Sequence, residues 1–160
     1  MSLIRIFLVS ILMAGPLAAQ GTSVAFGAIQ QDTSLPIEVT SQNLSVDQAA
    51  GTAVFTVDVI VSQGEMRLSA PRVLVVYNEA QSAIARMEAT GGVTLVSGPD
   101  AAESDRADYF VERGTIDMSG NVLLTQGPNA LTSDVMSVDL DAGTAQMSGN
   151  VKTVLQTGGD

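Results

Sequence analysis

The side chains that enzymes use most often for nucleophilic and metal chemistry are absent from this sequence. It contains no histidine and no cysteine, so the usual nucleophile–base pairs and transition-metal clusters cannot be built. Carboxylate pairs remain, such as Asp105 with Asp108 and Asp139 with Asp141, and glycoside hydrolysis uses paired carboxylates. On alternating strands these carboxylates fall on the outward face, where a solvated role is the simpler interpretation. We therefore predict that the protein is not an enzyme.

The glycine-containing turns predict no cofactor site. Segments 98–101 (Gly-Pro-Asp-Ala) and 127–130 (Gly-Pro-Asn-Ala) resemble each other as turns. Neither has the lysine or the helix start that a phosphate-binding loop requires. Calcium-binding nonapeptides need a regular Gly-Gly-x-Gly-x-Asp period, which is not present. We predict no cofactor and no metal.

The N-terminus has the pattern of an export signal. Arg5 is followed by an apolar stretch at 6–14 and by Leu17-Ala18-Ala19 before Gln20. This pattern predicts a secretory signal peptide over 1–19 that is cleaved near Ala19; an uncleaved N-terminal anchor is the rival interpretation. Export without cysteine is typical of a bacterial periplasm, where disulfides are permitted but not required.

The predicted mature chain is strongly acidic. Without Arg5, six basic residues stand against seventeen acidic ones, a net charge of −11. This balance argues against nucleic acid as a partner, because binding depends on Lys and Arg that neutralise phosphates. We predict a flexible lead at 20–34, one domain at 35–155 and a disordered tail at 156–160.

An internal repeat organises the domain. Segment 114–127 (GTIDMSGNVLLTQG) returns at 143–151 as GTAQMSGNV. Steps of 10 and 8 residues separate a serine, a glycine and a valine in three copies: Ser41-Gly51-Val59, Ser104-Gly114-Val122 and Ser133-Gly143-Val151. A fourth copy is stretched, with 23 residues rather than 18 between Ala70 and Val93. We predict that segment 79–87, near the extra residues, is the tip of a hairpin.

Alternation of apolar and polar residues within each copy indicates half-buried antiparallel strands. The valine anchors are 34, 29 and 29 residues apart, which predicts two strands per unit and a meander of roughly seven to nine strands. Gly120, Gly149 and the pair Gly91-Gly92 interrupt the alternation in mid-unit and predict a corner where the sheet folds over. Val57 stands at this place in the first unit, and valine adopts positive φ with difficulty. That corner should be strained or differently shaped.

The inward face predicted by this alternation is aliphatic and rich in methionine. Its best-placed members are Phe55, Val59, Val61, Val75, Met87, Val93, Leu95, Tyr109, Ile116, Met118, Val122, Leu124, Val138 and Met147. An ordinary, fully packed core is one interpretation of this face. An apolar trough between incompletely closed sheets is the other, because Met and branched aliphatic side chains adapt to variable apolar ligands. Composition alone does not choose between them.

Segments 36–44 (PIEVTSQNL) and 51–61 (GTAVFTVDVIV), the Ser-Gly-Asn-Val units and the Ser104-Asp105 and Ser133-Asp134 strand starts together resemble the OstA-like family. Its periplasmic bridge type in lipopolysaccharide transport (the LptA type) is the most similar. The resemblance covers about residues 35 to 155 and implies an antiparallel, twisted, incompletely closed jelly roll, here built from ~29-residue two-strand repeats. It further implies that the fourteen inward residues line a groove for the acyl chains of lipopolysaccharide.

The resemblance also implies that copies stack head to tail as a bridge between the inner and outer membranes. The expected partners are lipopolysaccharide, further copies, and the inner-membrane-anchored and outer-membrane transport components. An open stack leaves strand edges at 37–46 and 151–155, and different edges that pair generate a filament. Two alternatives remain: a structural or adhesive β-repeat module with a dry core, and the soluble domain of a sister transport component.

Overall fold

The computed structural model describes residues 22–25 and 31–156. The described chain forms eleven strands and one short 3-10 turn, Val111–Arg113. The strands are β1 (Thr22–Ala25), β2 (Glu38–Thr40), β3 (Asn43–Asp47), β4 (Thr52–Gln63), β5 (Met66–Tyr77), β6 (Ile84–Ser97), β7 (Asp100–Phe110), β8 (Thr115–Gln126), β9 (Asn129–Asp139), β10 (Thr144–Ser148) and β11 (Lys152–Val154). The predicted signal peptide at 1–19 lies outside the described residues, as does the predicted tail beyond Gln156.

All pairings in this sheet are antiparallel, and strands β4 to β10 pair consecutively as a meander. At one end β2 and β3 both pair with β4, and at the other β1 pairs with β10 and β11 with β9. Because β1 and β2 stand at opposite ends of the strand order, the sheet does not close into a barrel. The prediction of an all-β, incompletely closed antiparallel fold is confirmed.

The sheet folds along one line, which we call the corner. The pairing register shifts there in each of the five hairpins between β4 and β9, for example between Thr56 and Val59 and between Ser119 and Val122. The corner divides the sheet into two arms. The first arm contains β1, β3, β10 and residues 52–56, 72–77, 84–90, 106–110, 115–119 and 135–139. The second arm contains β2, β11 and residues 59–63, 66–70, 93–97, 100–104, 122–126 and 129–133.

In the three repeat copies that have it, the recurring serine forms a hydrogen bond at the corner. Its hydroxyl donates to the backbone carbonyl two residues further on, at 2.9 Å in all three copies: Ser41 to Asn43, Ser104 to Arg106 and Ser133 to Val135. A backbone carbonyl that has lost its ladder partner at a bulge needs another donor. The recurring serine therefore reflects the recurring bend.

A second contact at the corner joins neighbouring strands. Asn121 Nδ2 donates to Asp105 Oδ2 at 2.9 Å, and Asn150 Nδ2 donates to Asp134 Oδ2 at 2.8 Å. The glycine before each asparagine has positive φ, +80° at Gly120. A Cβ at Gly120 would lie 2.5 Å from Asp105 Oδ2, so both the backbone conformation and the space require glycine.

The first unit makes the same corner without glycine. Val57 has φ of 68° and Asp58 of 51°, so the chain follows the same left-handed path at a cost to a β-branched residue. The two polar partners are reversed in this unit, with the amide on the earlier segment and the carboxylate on the corner residue. Gln42 Nε2 donates to Asp58 Oδ2 at 2.6 Å. Strain at Val57 is thus observed, while the shape of the corner is retained.

The stretched repeat copy extends a hairpin tip, as predicted, but the predicted segment 79–87 is tip only as far as residue 83, because β6 begins at Ile84. β5 and β6 are joined by residues 78–83, in which Asn78 N–H donates to the carbonyl of Ala83 at 2.9 Å. The Asn78 side-chain oxygen accepts from the backbone N–H of Ser82 at 2.9 Å. The additional residues therefore lie beyond the paired part of the strands.

The segment predicted as a flexible lead contributes structure to the domain. β1 pairs with the outer edge of β10, with Val24 opposite Ala145. Residues 31–35, which we call the strap, form hydrogen bonds with both arms. Main-chain pairing at a free edge requires no side-chain pattern, which is why the small polar residues of the lead give no strand signal.

In the described part of the chain, no helix combines the length and the apolarity needed to cross a membrane.

Candidate functional site

The inner faces of the two arms form a single apolar cluster. Thirteen of the fourteen predicted inward residues are buried: Val59, Val61, Val75, Met87, Val93, Leu95, Tyr109, Ile116, Met118, Val122, Leu124, Val138 and Met147. The fourteenth, Phe55, is partly buried and packs against this cluster. The structure therefore brings all fourteen residues together on one face, because alternation on a strand sends every second side chain to the same side.

Sequence reasoning missed part of this face. Most of the missed members are alanines or polar: Ala53, Gln63, Ala70, Ala89, Ala102, Ala107 and Ala145, with Met66 and Leu131 missed as well. The alanines follow the same alternation, and Ala107 stands opposite Met118 across β7 and β8. The repeat register would have placed these alanines on the inward face, but small side chains contribute little to an apolar periodicity. Gln63 gave none, because a polar residue at an inward position needs a partner that only the fold identifies.

Polar groups border the apolar face at its two margins. Ser104 and Ser133 lie at the corner, while Gln63, Ser97 and Asp100 lie at the free end of the second arm, and all five are buried. Among the described residues, no buried side-chain nitrogen or oxygen lacks a hydrogen-bond partner. The interior between these margins offers apolar contact only.

The free ends of the arms face each other across an opening that we call the mouth. Hairpin turns at Gly51, Gly114 and Gly143 end the first arm, and turns at Gly64, Gly98 and Gly127 end the second. Tyr109 of the first arm donates its hydroxyl to Gln63 Oε1 of the second arm at 2.5 Å. Burial raises the pKa of Tyr109 to about 12, and the charge of nearby Asp141 acts in the same direction. Tyr109 therefore remains a neutral donor at physiological pH.

The strap crosses this mouth. Gln31 N–H donates to the carbonyl of Leu140 on the first arm at 3.1 Å, while Gln31 Nε2 donates to Ser97 Oγ on the second at 3.1 Å. Thr33 Oγ1 donates to Asp141 Oδ1 at 2.8 Å. Residues of the strap thus contact both free ends.

A group of ion-paired side chains lies on the outer face. Arg106 forms ion pairs with Glu88 at 3.0 Å and with Asp108 at 2.7 Å. A hydrogen bond from Arg86, opposed by partial burial, holds the pKa of Glu88 below its ordinary value. The carboxylate of Asp105 bonds to Asn121 at the corner. These carboxylates have structural partners on the surface, in agreement with the outward placement expected from sequence.

The interior is filled by its own side chains. An apolar cavity beside Met66, Met87 and Tyr109 measures only about 10 Å³. A larger groove of about 610 Å³ lies outside the corner, lined by residues such as Thr56, Ile60 and Thr94. In the described ranges, no group of three or more acidic side chains is placed to hold a metal ion.

Comparisons with known proteins agree with this architecture. Residues 38–144 match the model of the family described as "LptA/(LptD N-terminal domain) LPS transport protein". The chain belongs to this family. The match confirms the resemblance to OstA-like proteins, and the family description covers both the LptA type and a domain of a sister component.

A solved structure has the same fold. It is the crystal structure of LptH from Pseudomonas aeruginosa, described as the LptA-homologous periplasmic component of the conserved lipopolysaccharide transport device. The match has a TM-score of 0.70 at 18% identity and covers 79% of this chain and 99% of that one. At 18% identity the likeness shows the fold alone, which is a twisted, open jelly roll. No curated protein matches the chain.

Proposed function

We propose that the protein is a non-enzymatic periplasmic carrier that binds the acyl chains of lipopolysaccharide between its two arms. The observation that carries this proposal is the continuous apolar inner face, whose buried polar residues are confined to the corner and the mouth. Membership in a family of lipopolysaccharide transport proteins supports the ligand class. Burial of apolar chains contributes about 0.8 kcal/mol per methylene, which is enough to hold a multi-chain lipid.

The charge of the protein favours binding through the acyl chains of the ligand rather than through its sugar. The full chain has a net charge of −10, which disfavours close contact with phosphate-bearing sugars. The acyl chains should therefore supply most of the affinity, with the sugar left in solvent. On this proposal, affinity falls steeply as acyl chains are removed and changes little between low and moderate salt.

Photo-crosslinking from adjacent residues on opposite faces tests this binding mode. Met118 faces the interior and is fully buried, whereas Asp117 faces outward. A photoreactive amino acid at Met118 should give a lipopolysaccharide adduct in cells, and the same group at Asp117 should not. Adducts from neither position, with the protein correctly exported, would refute acyl binding between the arms.

A structural module with a dry core is the second candidate. The filled interior favours it, because the apolar cavity beside Tyr109 is only about 10 Å³ and one water needs roughly 10–15 Å³. This candidate predicts that the probe at Met118 labels only groups of the same protein. A purified domain that takes up no lipopolysaccharide, while a known carrier does under the same conditions, would also favour it.

The ends of the sheet support head-to-tail stacking of copies. β3 leaves Leu44 and Val46 exposed at one end, and Val154 and Leu155 are exposed at the other. β3 runs in the direction needed to pair antiparallel with β10 of a preceding copy. β1 occupies that edge of β10 here, so stacking along the first arm requires β1 to leave. Such a stack could join the inner-membrane-anchored component to the outer-membrane component.

Sedimentation of edge variants tests the stack. Leu44→Arg places a charge on the inward side of β3, while Ser45→Arg places it on the other side of the same strand. The first should lower the association constant and the second should not. Removal of residues 20–25 should raise association, because it frees the β10 edge. Equal sedimentation of all three variants with the wild type would refute these edges as the interface.

Periplasmic localisation follows from the predicted signal peptide at 1–19. Fractionation of cells should place the protein in the periplasm, and mass spectrometry should find an N-terminus near Gln20. An intact N-terminus that fractionates with membranes would favour the rival, uncleaved anchor.

A further inference from the structure

We infer that residues 31–35 are a gate, which keeps the interior closed in the lipid-free protein and opens when lipopolysaccharide is taken up. This inference rests on the proposed function. Acyl chains cannot occupy the interior as described, since its side chains are buried against one another in a single cluster and the apolar cavity beside Met66, Met87 and Tyr109 is only about 10 Å³. The arms must separate first. They are continuous at the corner, so separation has to occur at the mouth, where the strap lies.

The strap continues into the second arm and is hydrogen-bonded to the first. It leads into β2, which pairs with residues 60–62 of β4 in the second arm. Its bonds to the first arm are few and peripheral: Gln31 N–H to the carbonyl of Leu140 and Thr33 Oγ1 to Asp141 Oδ1. Release of these two bonds unpairs no strand, and the strap then stays tethered to the first arm only through the preceding chain and β1, which pairs with β10. The mouth opens with both arms keeping their sheet structure once the bond from Gln126 Nε2 of the second arm to the Ala25 carbonyl of β1 is released as well.

Gln63 is placed to latch the strap to both arms. It belongs to the second arm and is 2% exposed. Its Nε2 donates to the carbonyls of Thr33 and Leu35 at 2.9 and 2.8 Å, and its Oε1 accepts from the Tyr109 hydroxyl of the first arm. One carboxamide thus joins the strap to both sides of the mouth. A buried amide with these partners is costly to leave unsatisfied, so strap and arms should release together.

The turns at the mouth leave room for the strap. A Cβ at Gly64 of the second arm would lie 3.2 Å from Leu35 Cδ1, and one at Gly114 of the first arm would lie 3.3 Å from Thr33 Cγ2. The outer side of the strap is solvent-exposed, with Leu35 42% exposed. The Asp32 carboxylate accepts from the backbone N–H of Ser34 at 3.0 Å. This local turn can persist after release, so the strap can move as a unit.

A reversible crosslink across the mouth tests the gate. The chain has no cysteine, so Thr33→Cys with Asp141→Cys gives the only two thiols, at positions whose side chains are 2.8 Å apart. A short thiol-specific crosslinker that dithiothreitol cleaves would lock the strap to the first arm. Uptake of fluorescent lipopolysaccharide should become about tenfold slower on crosslinking and recover in the same sample after reduction. Undiminished uptake by the crosslinked protein would overturn the gate.

The control pair is Asp117→Cys with Ser137→Cys, which stand opposite each other on the outer face of the first arm. Crosslinking there should leave uptake unchanged.

Gln63→Met removes the latch at similar side-chain volume and should speed uptake about threefold or more. An unchanged rate in the folded variant would count against Gln63 as the latch. If the wild type and the reduced pair take up no lipid, the proposed function fails and the gate with it. If they do and the crosslinked pair does equally, only the gate fails.

Discussion

The corner and the mouth of this jelly roll are held together by different kinds of contact. At the corner the same short motif acts three times, with a serine hydroxyl bonded to a carbonyl two residues away and a polar pair separated by 16 residues. At the mouth each contact occurs once, between residues as distant as Gln63 and Tyr109 or Thr33 and Asp141. The corner is therefore a repeated, local structure and the mouth a single, long-range one. Repeated, local contacts suit a hinge at the corner, and single, long-range contacts suit a gate at the mouth.

The largest effect is expected from a side chain added at a repeated corner. Gly120→Ala forces positive φ on alanine and puts Cβ 2.5 Å from Asp105 Oδ2, so we expect a loss of about 2–4 kcal/mol in the free energy of unfolding. Urea denaturation measures it. Gly92→Ala is the matched control, because Gly92 also has positive φ but nothing lies within 4 Å of its added Cβ. Equal losses for the two variants would mean that the contact with Asp105 contributes nothing.

Alkaline pH should weaken the mouth while leaving the corner intact. The pKa of Tyr109 is raised to about 12 from an ordinary value of 10. A raised pKa means that the folded state favours the neutral phenol. Its contribution to stability is complete below pH 10 and is lost as the pH rises from 10 to 12. The free energy of unfolding should fall through this window in the wild type and fall less in Tyr109→Phe, as urea denaturation at each pH can measure.

Relief of strain at the first corner should change stability in the opposite direction from Gly120→Ala. Val57 holds φ at 68°, and no repeated glycine is present to accept this conformation. Val57→Gly should raise the free energy of unfolding by about 1 kcal/mol, as the relief of strain exceeds the entropic cost of glycine. A decrease in the melting temperature of this variant would show that contacts of the Val57 side chain outweigh its backbone strain.

The exchanged polar pair at the first corner predicts a small coupling. In the first unit the carboxylate belongs to the corner residue Asp58, whereas in the second it belongs to the preceding strand, at Asp105. Asp105→Asn and Asn121→Asp should each cost about 0.5 kcal/mol, and the double variant should recover most of that loss. A double-mutant cycle measures the coupling energy. Strictly additive losses would indicate that the pair contributes no stability.

Much of the architecture could be predicted because it is repeated. The steps of 10 and 8 residues located the corner serines and valine anchors, and period-two alternation located all fourteen inward residues. The extra residues of the stretched copy were placed near a hairpin tip for the same reason, although the predicted segment 79–87 includes the first residues of β6. In each case a local steric rule acts on neighbouring residues, and repetition multiplies a weak signal.

The strap and the β1 pairing could not be predicted in this way. Residues 31–35 have no periodicity, and Gln63 reads as an irregular polar residue at an inward position. Its role depends on Thr33, Leu35 and Tyr109, which the fold brings together from both arms. The spacing of these residues along the chain does not predict how close they lie in the folded protein.

By itself the sequence determined an acidic, all-β repeat protein with an apolar inner face and without histidine or cysteine, and it predicted export. Those properties depend on composition and on rules that act within a strand or between adjacent strands. Only the tertiary structure decided that the inner face is filled, that its mouth is closed by the strap, and that Gln63 connects the strap to both arms. These are contacts between distant segments, and they exist only once the sheet has folded over at its corner.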